Sequence, residues 1–166
     1  MKKAYVKALR RLARRDHSVD EMRRALRRAG FDSDDVEAAL ARLSSQGYLD
    51  DAKFAKGFAT SRMTHRGHGR HRVRQALFKR GIDKEVAESG LSDALAEVSE
   101  EAILDRLARS YWHRKQRLEP QRRLASLRAF LFRRGFPSDL VTSSLRRLWS
   151  EWQVDEPMPE LEQEIA

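Results

Sequence analysis

Cysteine is absent from the 166 residues, and proline occurs only four times. The first absence excludes a disulfide framework, a thiol nucleophile and a thiolate metal site, and it fits a reducing, cytoplasmic setting. Long apolar runs are missing as well: charge interrupts them every few residues, far short of the ~18 residues of a membrane span. The opening Met1-Lys2-Lys3-Ala4-Tyr5-Val6 begins like a secretory signal, but Lys7, Arg10 and Arg11 break any apolar stretch, so no leader and no membrane association are expected. Strand signals are lacking too, since Val, Ile and Thr never alternate with polar residues over a strand's length. Nor is there a nucleophile elbow, a Walker loop or a dinucleotide fingerprint, so no enzyme and no cofactor are expected.

Charge is plentiful. Lys and Arg number 34 against 25 Asp and Glu, a net +9, and charged residues make up 36% of the chain. A sequence pI near 10.3 points to a polyanionic partner. The distribution is uneven. All 34 cations precede residue 154, with 20 of the acids, so the body carries +14 and the last 13 residues −5. That acidic segment, with Pro157 and Pro159, reads as a disordered tail.

Helical periodicity fills the body and repeats three times. Met22, Ala25, Leu26 and Ala29 make one apolar stripe, opened by a Ser18–Glu21 capping box and stopped at Gly30. A following helix turns Val36, Ala39, Leu40 and Leu43 inward. Val73, Ala76, Leu77, Gly81, Ile82 and Val86 restate this phrase, as do Leu127, Phe130, Leu131, Gly135, Phe136 and Val141. The stop glycines lie 51 and 54 residues apart. Each phrase follows another amphipathic helix, marked by Tyr5, Leu9 and Leu12, by Phe54, Phe58 and Arg62, and by Ile103, Leu107 and Tyr111 behind Ser99. The expected fold is all-α, with three tandem three-helix repeats over residues 1–49, 50–97 and 98–153 and a tail over 154–166.

Aligned on the glycines, Arg23, Arg74 and Arg128 share one column and Arg28, Lys79 and Arg133 another, both off the apolar stripe. Between Gly57 and Ile82 there are seven Lys or Arg, three His and no acid; Arg66, Arg70 and Arg72 form a second patch there. Cations recurring at intervals suit a surface that tracks phosphates. Gly67-His68-Gly69 could bring amides to a phosphate, but a turn needing positive φ is the simpler reading. His65, His68 and His71 drift around a helix with no carboxylate nearby, which argues against a metal site. Asp50 and Asp51 are the one conspicuous acidic pair outside the helices; capping explains them better than nuclease chemistry. Trp149 and Trp152 extend an apolar helix, whereas Trp112, flanked by His113, Arg114 and Lys115, is expected partly exposed and suited to base stacking.

Four phrases stand in order along the chain: Leu12-Ala13-Arg14-Arg15 with Ser18 and Glu21, then Gly47-Tyr48-Leu49-Asp50-Asp51 with Phe54-Ala55, then Gly67-His68-Gly69 with Arg72-Val73, Leu77 and Gly81-Ile82, and finally Leu131-Phe132-Arg133-Arg134-Gly135-Phe136. Together they resemble the RecX family of bacterial RecA regulators, and the likeness runs from about residue 4 to 150. The resemblance implies an elongated, curved array of helical repeats without catalytic activity. It also implies a partner, RecA as its DNA filament, whose extension, ATP hydrolysis, strand exchange and coprotease function are inhibited, and a chain acting as a monomer. Two positions depart from the family pattern: Arg70 replaces a common proline and Ala76 a frequent glutamate, both raising the positive charge. The alternative is a non-specific binder of single- or double-stranded DNA, since the last two helices of each repeat resemble a helix-turn-helix.

Overall fold

A computed structural model describes residues 2–152, 154, 155 and 157–160. Among the described residues there are nine α-helices and no strand: α1 Lys2–Leu12, α2 Val19–Arg28, α3 Ser33–Ser45, α4 Asp51–Arg66, α5 Arg70–Phe78, α6 Lys84–Glu97, α7 Glu100–Arg114, α8 Pro120–Arg133 and α9 Ser138–Glu151. They form three successive three-helix modules. Residues 154, 155 and 157–160 take no helix, and the remainder of the expected acidic tail lies outside the described residues.

Local chemistry sets the helix ends. The Ser18 hydroxyl accepts the Glu21 N–H at 3.0 Å, and the Glu21 carboxylate accepts the Ser18 N–H, completing the box. Ser99 accepts the Ala102 N–H at 3.1 Å in the same role at α7. Pro120 opens α8, where its missing N–H has no partner to lose. Gly30, Gly81 and Gly135 stand at φ +85°, +73° and +83°, a region costly for a residue with a Cβ.

In the first module Ala8, Met22, Leu26, Val36, Leu40, Leu43 and Leu49 make one cluster, edged by Tyr5, Leu9, Leu12, Val19 and Phe31. Phe136, Leu104, Leu124, Leu127, Leu131 and Leu145 are fully buried in the third. The first helices of the first two modules differ from the sequence expectation. On α4 the buried positions are Ala55, Ala59 and Met63, while Phe54 and Phe58 are half-buried and stack on each other at 5.7 Å. Ala4 and Ala8 repeat this on α1. Small residues win that face of α4 because the neighbouring helix comes close: a Cβ on Gly90 of α6 would sit 2.6 Å from that of Ala55.

Two compact units result. One takes α1–α3, α4 as far as Ala59, and the chain from Arg74 to Ala94; the other takes Thr60–Val73 and the chain from Leu95 onward. No helix is long and apolar enough to cross a membrane among the described residues.

Candidate functional site

The repeated cation columns behave differently in the structure. Arg23 of α2 is half-buried and forks onto Glu37 of α3, with Nε 2.8 Å from Oε1. The Glu37 carboxyl is held below its usual range by that guanidinium. Arg74 of α5 does the same with Glu88 of α6. Both glutamates stand 14 residues after their arginine, and the corresponding position after Arg128 is Thr142. Arg128 instead lies over the Phe132 ring at 5.2 Å. This column therefore ties one helix to the next or lies along its own helix.

The second column is open. Arg28, Lys79 and Arg133 are exposed, and among the described residues no carboxylate lies within ion-pair distance of them. Arg66 and Arg72 are likewise exposed. Arg70 serves the packing instead, because its side chain and its backbone N–H both meet Glu100, each at 2.6 Å, and Glu100 is only 5% exposed.

The glycine-flanked histidine sits at a close crossing of backbones. The Gly69 N–H donates to the Arg134 carbonyl at 2.8 Å, and the His71 N–H donates to that of Gly135 at 3.0 Å. A Cβ on Gly69 would strike the Gly135 backbone. These amides are engaged in packing, in line with the simpler reading of the motif. Burial, reinforced by Arg72, Arg134, Arg62 and Arg66, lowers the His68 imidazole to about 4. Among the described residues no cluster of three His, Asp or Glu could hold a metal ion.

The acidic pair divides its work. Asp50 accepts the Lys53 N–H at 3.0 Å as the local cap of α4. Asp51 reaches back to the first module and accepts the Val19 N–H at 2.9 Å. Burial raises its carboxyl above the usual value. Trp112 overturns an expectation: it is only 8% exposed, stacked on Trp152 at 4.1 Å, set edge-on to Trp149, and covered by the Arg123 guanidinium at 3.8 Å. A base cannot reach it.

The sequence reading missed a basin of about 340 Å³ lined by Arg11, Arg15, His17, Glu21, Arg24, Ala25, Arg28, Lys79 and Arg80. Six cations face it against one carboxylate. His17 is 7% exposed, and burial lowers its imidazole below the usual range, with the charges of Arg15 and Arg11 acting in the same direction. A signal was present in the chain: Arg11, Arg15 and His17 recur as Arg62, Arg66 and His68 at the 51-residue offset of the first two glycines.

Among the described residues, strand-free three-helix modules in tandem, glycine-stopped and bearing exposed cations, define a basic helical-repeat protein. Comparison with known proteins narrows that class. The family models for the first, second and third three-helix domains of RecX match residues 4–43, 50–91 and 99–145 in order. The Regulatory protein RecX of Halorhodospira halophila is 39% identical over 142 residues, covering 82% of this chain and 83% of the relative. That of Thermus thermophilus is 37% identical over 139 residues, covering 84% and 87%. The crystal structure of RecX from Lactobacillus salivarius superposes with a TM-score of 0.78 at 21% identity, over 90% of this chain and 96% of that one. The chain belongs to the RecX family of regulatory proteins.

Proposed function

We propose that this chain regulates the RecA recombinase by binding RecA–DNA filaments, inhibiting filament extension, ATP hydrolysis, strand exchange and coprotease function, and so modulating recombinational repair and the SOS response. The observation that carries this reading is the ordered match of all three family domains, joined to a body of +14 whose exposed cations recur with the modules. Successive modules with equivalent cations suit a target that is itself periodic, and several weak contacts along one filament act as a multivalent grip. Contacts spanning neighbouring protomers would oppose the motion that accompanies hydrolysis, and an occupied end would block addition.

The domain division at 1–49, 50–97 and 98–153, action as a monomer and a cytoplasmic setting belong to the same proposal. Arg28, Arg66, Arg72, Lys79 and Arg133 are its principal contacts, while Arg23, Arg70, Arg74 and Arg128 hold the helices that present them. A second reading, direct and sequence-independent DNA binding, is favoured by the cationic basin.

The test is the DNA-dependent ATPase of RecA filaments titrated with this chain. Substoichiometric inhibition is expected, lost when Arg28 and Lys79 are reversed to Glu with helicity retained. An unaltered hydrolysis rate at stoichiometric chain contradicts the proposal.

A further inference from the structure

The two junctions between modules are built alike. At the first, the Ser18 hydroxyl donates to the Arg80 carbonyl at 2.6 Å, and the Val19 N–H reaches Asp51 at 2.9 Å. At the second, 51 residues on, the Gly69 N–H donates to the Arg134 carbonyl at 2.8 Å, and the Arg70 N–H reaches Glu100 at 2.6 Å. Each junction thus carries the residues that end one glycine-stopped helix against the start of the earlier module's second helix. The same cations are delivered both times. Arg11, Arg15 and His17 meet Lys79 and Arg80 at the first; Arg62, Arg66 and His68 stand with Arg134 at the second, where the Arg72 guanidinium also donates to the Arg133 carbonyl and that of Arg134 to the Arg66 carbonyl.

Some of the cations around the first junction are neutralised: Arg15 and Arg80 meet Glu21, and Arg24 meets Asp20. Others are not. Among the described residues no carboxylate lies within ion-pair distance of Arg11, Arg28, Lys79, Arg66, Arg72, Arg133 or Arg134, although the body holds 20 acids. The Arg11 Nε in the wall of the basin is buried without a hydrogen-bond acceptor among the described residues. A buried guanidinium nitrogen left without an acceptor is costly, and an anion with several acceptor oxygens would complete it.

We infer that each inter-module junction is a seat for a backbone phosphate of a nucleic-acid strand. The inference rests on the regulatory reading above for the polymer, DNA, and on the junction geometry for the site. Charge complementarity favours a phosphodiester: a strand offers the same anion at regular intervals, and the body that carries both seats has a net +14. The first seat is lined by Arg11, Arg28 and Lys79, with Glu21 tempering it; at the second, Arg72 occupies the position of Glu21. The second seat is therefore the stronger.

The experiment uses the full chain and a bare single-stranded oligonucleotide across a salt series. Arg28→Gln with Lys79→Gln tests the first seat, Arg66→Gln with Arg72→Gln the second, and Lys2→Gln with Lys3→Gln serves as an equal charge loss at the opposite end of α1 from Arg11. Circular dichroism checks that helicity persists. Each seat pair should weaken binding and lower the slope of log K against log salt by about 0.7, the value for one phosphate contact, with the larger affinity loss at the second seat. The control pair should leave the slope unchanged. Unchanged slopes for both seat pairs overturn the assignment. Inorganic phosphate at matched ionic strength should leave the oligonucleotide bound; complete displacement at millimolar phosphate would assign the seats to a free anion and overturn the polymer. If bare-DNA binding is untouched while inhibition of RecA hydrolysis is lost, the seats face protein, and the regulatory reading stands without them. If the slopes fall but the unsubstituted chain leaves RecA hydrolysis unaltered, the seats stand and the regulatory reading falls.

Discussion

Individual residues here hold two kinds of position, those that close a contact and those that leave one open. Gly69 closes one. It has no room for a methyl group against the Gly135 backbone, so Gly69→Ala should cost about 1–3 kcal/mol through overpacking. Gly57, within α4, has open space around it, and Gly57→Ala should gain up to ~1 kcal/mol from helix propensity. Urea midpoints for the pair check both; equal shifts would mean that the crossing is not tight. His68 gives a pH signature. Its folded value of about 4 lies below the ordinary 6.5, so the unfolded chain binds the extra proton between those values. Stability contributed by His68 is full above pH 6.5 and declines as pH falls toward 4. His68→Asn should flatten the loss of urea midpoint over that window; an unaltered pH profile would place the proton uptake elsewhere.

At the scale of helices, the junctions depend on carboxylates that reach across modules. Glu100 is buried and satisfies both the N–H at the start of α5 and the Arg70 side chain. Glu100→Ala strands both donors, although Arg70 retains 39% side-chain exposure and can turn to water. The expected cost is about 1–3 kcal/mol, read as a lowered thermal or urea midpoint. Arg23–Glu37 and Arg74–Glu88 are more exposed, and a double-mutant cycle on either should return about 0.2–1 kcal/mol. Helix existence, order and ends were legible in the chain, because the 3.6-residue stripe, the Ser18 box and the stop glycines are local signals. Which face of α1 and α4 is buried was not. Ala55 and Ala59 look neutral beside Phe54 and Phe58, and only the approach of Gly90 makes small residues the better fit. Trp112 misled for a related reason, since the rings and the guanidinium that cover it come from positions 123, 149 and 152.

For the whole molecule, the sequence disclosed that cations recur but not which of them are free. Arg23 and Arg28 look equivalent in the aligned repeats, yet one faces Glu37 and the other a basin. That basin joins residues 11–28 to residues 79 and 80, a neighbourhood no local pattern contains. Membership of the RecX family, supported by three domain matches in order, turns a general inference from charge into a specific one about a protein-coated strand. The two readings of function separate on one comparison: binding of this chain to bare single-stranded DNA and to RecA-coated DNA of the same length, across a salt series. Tighter binding to the coated strand is expected at every salt concentration, with affinity for it outlasting that for bare DNA as salt rises. Equal affinities with equally steep salt slopes would contradict the filament reading and leave a plain DNA binder.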